Sequence, residues 1–359
     1  MERQLTEIWE QTLGVQPIGV NDNFFELGGH SILAVKLFWQ IEKTFNKNLP
    51  LAILFQSGTV EALAKIICQE DLARNSALVN TLDKSRTTWS SLVEIQPNGS
   101  KPPFFCIHGL GGEVLCFREL AQHLGPEQPF YGLQPQGLDG KNPFHTRVED
   151  MATHYIQEIQ TLQPNGPYYL GGYSFGGVVA FEMARQLQEQ GEQIGILVVL
   201  DSCRPGYSWR ASFLKRGFLH LNNIVQQGPA YLWQRVVRWS YWRKSHLQNT
   251  YDRYLEVALD IPVTDKHLKI IDANTQAVSE YIFPVYPGRA ILLRTEDQNR
   301  DEAIGTQYHP QFGWGEVVAG GLDIHYVPGS HLGQLNEPHV QVLAETLRNC
   351  LIQAQSPKN

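Results

Sequence analysis

In the first 75 residues, apolar side chains recur every three or four positions, which is the period of an amphipathic helix. The first such run ends at Gly14, a residue type that commonly terminates helices. A second run begins at Ser31, after a loop rich in glycine and asparagine. A third follows Thr59, whose hydroxyl is suited to cap a helix N-terminus. The pattern predicts a small helical domain.

From about residue 92 the pattern changes to short apolar runs that alternate with helix-length amphipathic segments. Such alternation predicts a mostly parallel sheet with helices on both faces. The predicted strands are Phe104–His108, Phe130–Gln134, Tyr168–Tyr173, Ile196–Asp201, Ala290–Arg294 and Ile324–Val327. The predicted helices are Val114–Leu124, Val148–Leu162, Gly176–Gln190 and His339–Ile352.

Two segments depart from these patterns and divide the chain. Residues 75–91 lose periodicity and are interpreted as a linker between domains at 1–74 and 92–359. Residues from 204 to about 265 are aromatic and helix-like, and they are interpreted as an insertion above the sheet. At 359 residues, the chain is long enough for two cores.

Charge is unevenly distributed. The whole chain carries a net charge of −7, yet residues 204–254 hold nine Lys or Arg and one Asp, for a local charge of +8. The net negative charge of the whole chain argues against nucleic acid as a general partner. The aromatic side chains of this basic insertion could pack its helices against one another, or line a substrate chamber whose Arg and Lys face meets an anionic group. A basic amphipathic helix could also touch a membrane surface.

Other compositional features restrict location and processing. Five cysteines without a CxxC pair favour reduced thiols and a cytoplasmic location, and no metal site is predicted. No run approaches the length of a membrane span, and the acidic N-terminal segment does not resemble a signal peptide. Because Met1 lies almost inside the first helix, we expect the chain to be a piece of a longer protein.

The string Gly172-Tyr173-Ser174-Phe175-Gly176 has the G-x-S-x-G pattern of a nucleophile elbow, and it lies between a predicted strand and a predicted helix. Ser174 is therefore the candidate nucleophile. Such a serine needs a base and a group that orients the base, in the chain order serine, acid, histidine. The backbone N–H groups of Phe175 and of Leu110, in a glycine-rich loop, are the candidate oxyanion donors.

Asp201 ends a predicted strand and is favoured as the acid, with Asp297, one strand later, as its rival. Asp201 could also be a simple helix cap. His331 follows the last predicted strand and is favoured as the base. His325 lies inside that strand and His339 opens the terminal helix, so both are less suitable.

A second serine, Ser31, ends the string Asp22-Asn-Phe-Phe-Glu-Leu-Gly-Gly-His-Ser31. The serine alone would be interpreted as a helix cap. The whole string, and residues 2 to about 70 with it, resembles the peptidyl carrier domains of nonribosomal peptide synthetases. The resemblance implies a small four-helix fold and 4′-phosphopantetheine attached to Ser31. Gly58-Thr59 departs from the family's usual Pro-Thr at a helix start.

Residues 92–203 and 266–352 resemble the type I thioesterase domains of such synthetases, through Phe105–Gly112 and Gly166–Ala184. That resemblance implies an α/β-hydrolase fold with a variable helical lid, here at about 204–265. It further implies release of an acyl or peptidyl chain from Ser31 through Ser174, by hydrolysis or macrocyclisation. Upstream synthetase modules and a phosphopantetheinyl transferase are the implied partners. A free-standing serine esterase or lipase and a non-catalytic scaffold remain as alternatives.

Overall fold

The computed structural model describes residues 1–47, 49, 51–75, 90–138, 142–210, 265–296 and 306–355. The predicted linker at 75–91 and the predicted lid at 204–265 lie almost entirely outside these residues. Asp297, the rival acid, also lies outside them. Within the described residues no helix has the length and apolar character needed to cross a membrane.

The N-terminal domain consists of four helices: α1 (Glu2–Leu13), α2 (Ser31–Phe45), the short α3 (Ile53–Gln56) and α4 (Val60–Asn75). Gly14 ends α1 in the left-handed region, with φ of 70°, and its N–H donates to the Glu10 carbonyl. The Thr59 hydroxyl accepts the Ala62 N–H at 3.2 Å. Both predicted caps are therefore confirmed. The short α3 completes the four helices that the family resemblance implies, although the apolar pattern predicted no helix at its position.

The described part of the C-terminal domain contains nine strands: β1 (Leu92–Gln96), β2 (Phe104–Ile107), β3 (Phe130–Leu133), β4 (Tyr168–Tyr173), β5 (Ile194–Leu200), β6 (Ser208–Arg210), β7 (Ala290–Thr295), β8 (Thr306–Tyr308) and β9 (Leu322–Val327). Seven of them form a sheet in the order β1-β3-β2-β4-β5-β7-β9. Among these seven described strands, only β1 runs antiparallel, beside β3. Strands β6 and β8 form a separate two-stranded ribbon. The six predicted strands are present. Strand β1 was missed because its sequence has a mixed pattern, and β6 and β8 because each has only three residues.

Helices cover both faces of this sheet. They are α5 (Arg118–Leu124), α6 (Val148–Leu162), α7 (Phe175–Glu189), α8 (Asp265–Glu280) and α9 (His339–Gln355). Alternate strand residues face opposite sides, so Phe105 joins a core with α6 and α7, while Phe104 joins a core with α5 and α9. The predicted helix at 114–124 is instead a 3₁₀ turn at Leu115–Phe117 followed by α5. Helix α8 was not predicted.

Candidate active site

Ser174 lies in the sharp turn between β4 and α7, with φ of 54° and ψ of −119°. Positive φ is unusual for a serine and costs energy that the surrounding structure must offset. A Cβ atom at Gly172 would lie 2.0 Å from the Gly176 carbonyl oxygen, and one at Gly176 would lie 2.3 Å from the Ile107 oxygen. The tightness of the turn therefore explains the glycines that flank the serine.

A continuous chain of hydrogen bonds joins three candidate residues. His331 Nε2 lies 3.0 Å from Ser174 Oγ, and His331 Nδ1 lies 2.7 Å from Asp201 Oδ2. The Asp201 side chain is almost fully buried, whereas that of His331 is 42% exposed. An imidazole between a hydroxyl and a buried carboxylate is placed to accept the hydroxyl proton while the carboxylate holds its other nitrogen.

The Asp201 carboxylate is fixed by Thr295 at the end of β7. Thr295 donates its backbone N–H to Asp201 Oδ1 at 2.9 Å and its hydroxyl to Oδ2 at 3.0 Å. With His331 Nδ1, the buried carboxylate has three donors, which compensates its loss of hydration. Thr295 was missed by sequence reasoning, since a strand-ending threonine carries no motif.

Tyr173, the residue before Ser174, holds His331 in place. Its ring stacks on the His331 ring at 5.1 Å, and its hydroxyl donates to the His331 carbonyl at 2.6 Å. The other candidate histidines lie elsewhere. His325 is within β9, with Nε2 3.9 Å from Cys350 Sγ, and His339 begins α9. The structure therefore brings His331 to Ser174.

The two predicted oxyanion donors lie on adjoining segments. Phe175 begins α7, and Leu110 lies in the loop after β2. His108 links the segments, because its buried ring stacks on the Phe175 ring at 5.9 Å while its Nδ1 lies 2.6 Å from the Gly109 carbonyl. Burial lowers the pKa of His108 to about 4, so the ring is neutral near pH 7.

The neutral His108 ring determines how the peptide plane between Gly109 and Leu110 is oriented. A carbonyl can only accept, so Nδ1 carries the proton and donates to Gly109, while Nε2 accepts from the Tyr155 hydroxyl at 2.9 Å. In a trans peptide the carbonyl and the following N–H point in opposite directions. Holding the Gly109 carbonyl therefore directs the Leu110 N–H away from His108. Asn274 of α8 holds the next plane by donating to the Leu110 carbonyl at 2.8 Å.

The buried neutral His108 predicts a pH-dependent stability. Its pKa rises from about 4 to its ordinary 6.5 on unfolding, so the unfolded chain binds more protons between those values. The free energy of unfolding should therefore fall as pH drops through this window, by about 3 kcal/mol in total. Urea unfolding of the wild type and of His108→Gln at pH 7, 5.5 and 4.5 measures this contribution. Equal pH slopes in the two proteins would contradict it.

The second serine, Ser31, begins the 15-residue helix α2. Gly28 has φ of 89°, and a Cβ atom at Gly29 would lie 2.4 Å from the Phe24 carbonyl oxygen. The glycines thus let the loop pass close beneath the helix start. The structure describes the backbone of Ser31 but not its side chain. A helix N-terminus stabilises a phosphate group, which fits a phosphodiester at this residue.

Family models and curated relatives match both regions. A phosphopantetheine attachment site matches residues 3–67 and a thioesterase domain matches residues 102–228. Malpibaldin synthetase of Mortierella alpina is 30% identical over 98% of this chain, and chondramide synthase of Chondromyces crocatus is 32% identical over 97%. This chain spans only 6% and 9% of the length of these two relatives.

Solved structures are similar in fold. A four-domain nonribosomal peptide synthetase bound to AMP and glycine matches 97% of this chain and 26% of its own, at 28% identity and a TM-score of 0.58. A thioesterase domain in covalent complex with a fluorophosphonate nocardicin G analogue matches 73% of this chain and 100% of its own, at 24% identity and a TM-score of 0.51. The chain is therefore a phosphopantetheine carrier domain followed by an α/β-hydrolase thioesterase domain, of the kinds found in nonribosomal peptide synthetases.

Proposed function

We propose that this chain releases an acyl or peptidyl chain from an assembly-line synthetase. Residues 1–74 act as the carrier, and residues 92–359 act as the thioesterase. The observation that carries the proposal is the hydrogen-bonded series Ser174–His331–Asp201, in a chain that also has an attachment motif ending at Ser31. A free-standing esterase would not need the carrier, so the two domains together favour chain release.

Ser31 is the residue that would hold 4′-phosphopantetheine, covalently, at the start of α2. When bound, the group supplies a thiol that carries the acyl chain as a thioester. The structure around Ser31 fits this group, because the residue lies at a helix N-terminus and the chain passes close to it at Gly29. A phosphopantetheinyl transferase and upstream modules are the partners that this role requires, and a cytoplasmic location stays a prediction.

In the proposed mechanism, His331 Nε2 takes the Ser174 proton as Oγ attacks the thioester carbonyl carbon. Asp201 holds His331 in the tautomer whose Nε2 is free to accept and stabilises the imidazolium that forms. The carbon–sulfur bond then breaks, and His331 returns the proton to the departing thiolate. The acyl chain is left as an ester on Ser174.

The negative charge that develops on the carbonyl oxygen is stabilised by the Leu110 and Phe175 N–H groups. Each such donor is worth roughly 10²- to 10³-fold in rate. In the second half, His331 removes a proton from water, or from an amine or hydroxyl of the chain itself, as that nucleophile attacks the ester carbonyl carbon. The bond between this carbon and Ser174 Oγ then breaks, and His331 returns the proton to Oγ. Water gives a linear acid, and an internal nucleophile gives a ring.

A loading experiment tests this function. The chain is incubated with synthetic acyl-coenzyme A substrates and a phosphopantetheinyl transferase, and intact mass and released products are followed. We expect a mass gain at Ser31 and then its loss as product appears. Product mass distinguishes hydrolysis from cyclisation. A chain that accepts the group yet never releases it would support a non-catalytic scaffold.

Ser31→Ala should abolish the mass gain, because the nucleophilic oxygen for attachment is gone. The same variant should keep hydrolysis of a free acyl-pantetheine thioester, since Ser174 and His331 are unchanged. Intact mass and thiol release measure the two outcomes separately. Loss of both would mean that the substitution disturbs the thioesterase domain and that Ser31 is not a dedicated attachment residue.

A further inference from the structure

The carrier domain is seated against a short segment of the thioesterase domain, the 3₁₀ turn Leu115–Phe117 and the start of α5. Leu115 is 4% exposed and packs within the hydrophobic core of the carrier. In return, Ala52 of the carrier is buried with the core beneath α5 and α9, and Phe55 packs against both. The contact therefore includes apolar side chains from each domain.

A charged side chain completes this contact. The Arg118 guanidinium carbon lies 4.2 Å from the centre of the Phe25 ring, a cation–π distance. Glu26, next along the carrier loop, attracts the same cation, as does Glu119. Burial lowers the pKa of Arg118, and these two carboxylates oppose that effect. Arg118 thus contacts a carrier ring, and a carrier carboxylate acts on its charge.

Both partners in the contact adjoin a functional loop. Phe25 and Glu26 belong to the motif that ends at Ser31. The segment from Leu115 to Arg118 follows the glycine-rich loop that contains Leu110, at the carboxyl edge of the parallel sheet where Ser174 lies. The carrier therefore rests on the edge of the thioesterase domain at which the chemistry is proposed to occur.

We infer that the pairing of Phe25 and Glu26 with Leu115 and Arg118 is the docking surface that presents the loaded carrier to the thioesterase. The inference rests on the proposed function. Arg118 supplies the polar recognition and Leu115 the apolar anchor. Leu115 and Arg118 thus fit a carrier loop in which an aromatic residue is followed by an acidic one, such as Phe25 and Glu26 of this chain.

The test compares a tethered and a free substrate. Arg118→Glu reverses the charge on which Glu26 acts, and a glutamate in the first turn of α5 is compatible with the helix dipole. We expect single-turnover release from Ser31 to slow about tenfold, since the cation–π contact and the charge attraction are both lost. Hydrolysis of free acyl-pantetheine should stay within about twofold, because it needs no docking.

Two further variants serve as a charge-swap rescue and as a control. The double variant Glu26→Arg/Arg118→Glu restores opposite charges and should recover much of the release rate. Arg289→Glu is the matched control, since Arg289 is exposed and pairs with Asp323 at the opposite, amino-terminal edge of the sheet. It should release at the wild-type rate.

A readout without any substrate is hydrogen–deuterium exchange of the unloaded chain. Arg118→Glu should raise exchange in peptides covering residues 23–28 and 114–124, and the double variant should lower it again. Equal losses on tethered and free substrates, or unchanged exchange in both peptides, would overturn the inference. If the wild type hydrolyses neither substrate, the proposed function fails, while the exchange experiment still reports on the contact.

Discussion

Ser174→Ala should reduce release of a Ser31-bound chain by on the order of 10⁴-fold or more, because the oxygen that attacks the carbonyl is removed. The residual rate would come from water attacking a carbonyl still polarised by the Leu110 and Phe175 N–H groups. Intact-mass measurement of the loaded chain over time shows this as persistence of the acyl-carrier species. Loading of Ser31 itself should proceed at the wild-type rate.

The control for this prediction is Ser202→Ala, a change of the same kind at a buried serine beside Asp201 that is given no role in the chemistry. A fluorophosphonate should label the wild type and Ser202→Ala at Ser174 and should leave Ser174→Ala unlabelled. Release at an undiminished rate by Ser174→Ala would end the assignment of this serine as nucleophile.

Asp201→Asn should reduce the rate of release by about 10⁴-fold. The Thr295 N–H can only donate and it faces Oδ1, so an asparagine would keep its oxygen at that position, while the Thr295 hydroxyl can turn to accept from the amide. Its NH₂ would then face His331 Nδ1 and require that nitrogen to accept. The proton would move to Nε2, which could no longer take the proton of Ser174.

The tautomer gives this prediction a spectroscopic readout. Nitrogen chemical shifts of His331 should report protonation at Nδ1 in the wild type and at Nε2 in Asp201→Asn. Asp297→Asn is the matched comparison, because Asp297 is the rival acid that the sequence offers. A large loss in Asp297→Asn with little effect of Asp201→Asn would reverse the assignment of the acid.

Much of the fold could be predicted from local pattern. The strand Tyr168–Tyr173 and the helix Val148–Leu162 have the predicted bounds, since each has a long, unmixed period and clear flanking breakers. Strand β1 was missed because its five residues LVEIQ carry a mixed pattern, and pairing with β3 forms it. Helix α8 was missed because its sequence is polar over much of its length.

The residues that support the candidate site could not be predicted from the sequence. Thr295, Tyr173 and Asn274 have no spacing that relates them to Ser174 in the sequence. Asn274 in particular donates to the Leu110 carbonyl, although the two residues are more than 160 positions apart in the sequence. Such contacts depend on how helices close over a sheet edge, and a single sequence does not contain that distance information.

The sequence by itself determined the two serines, the glycines that surround them and the order of elements, because turns and periods are local properties of the chain. Tertiary structure decided that His331 meets Ser174 and that Asp201 meets His331. It also decided that the carrier rests on Arg118. Parallel strands bring residues separated by 130 and 157 positions to one edge, and hydrogen bonds of about 3 Å exist only after that packing.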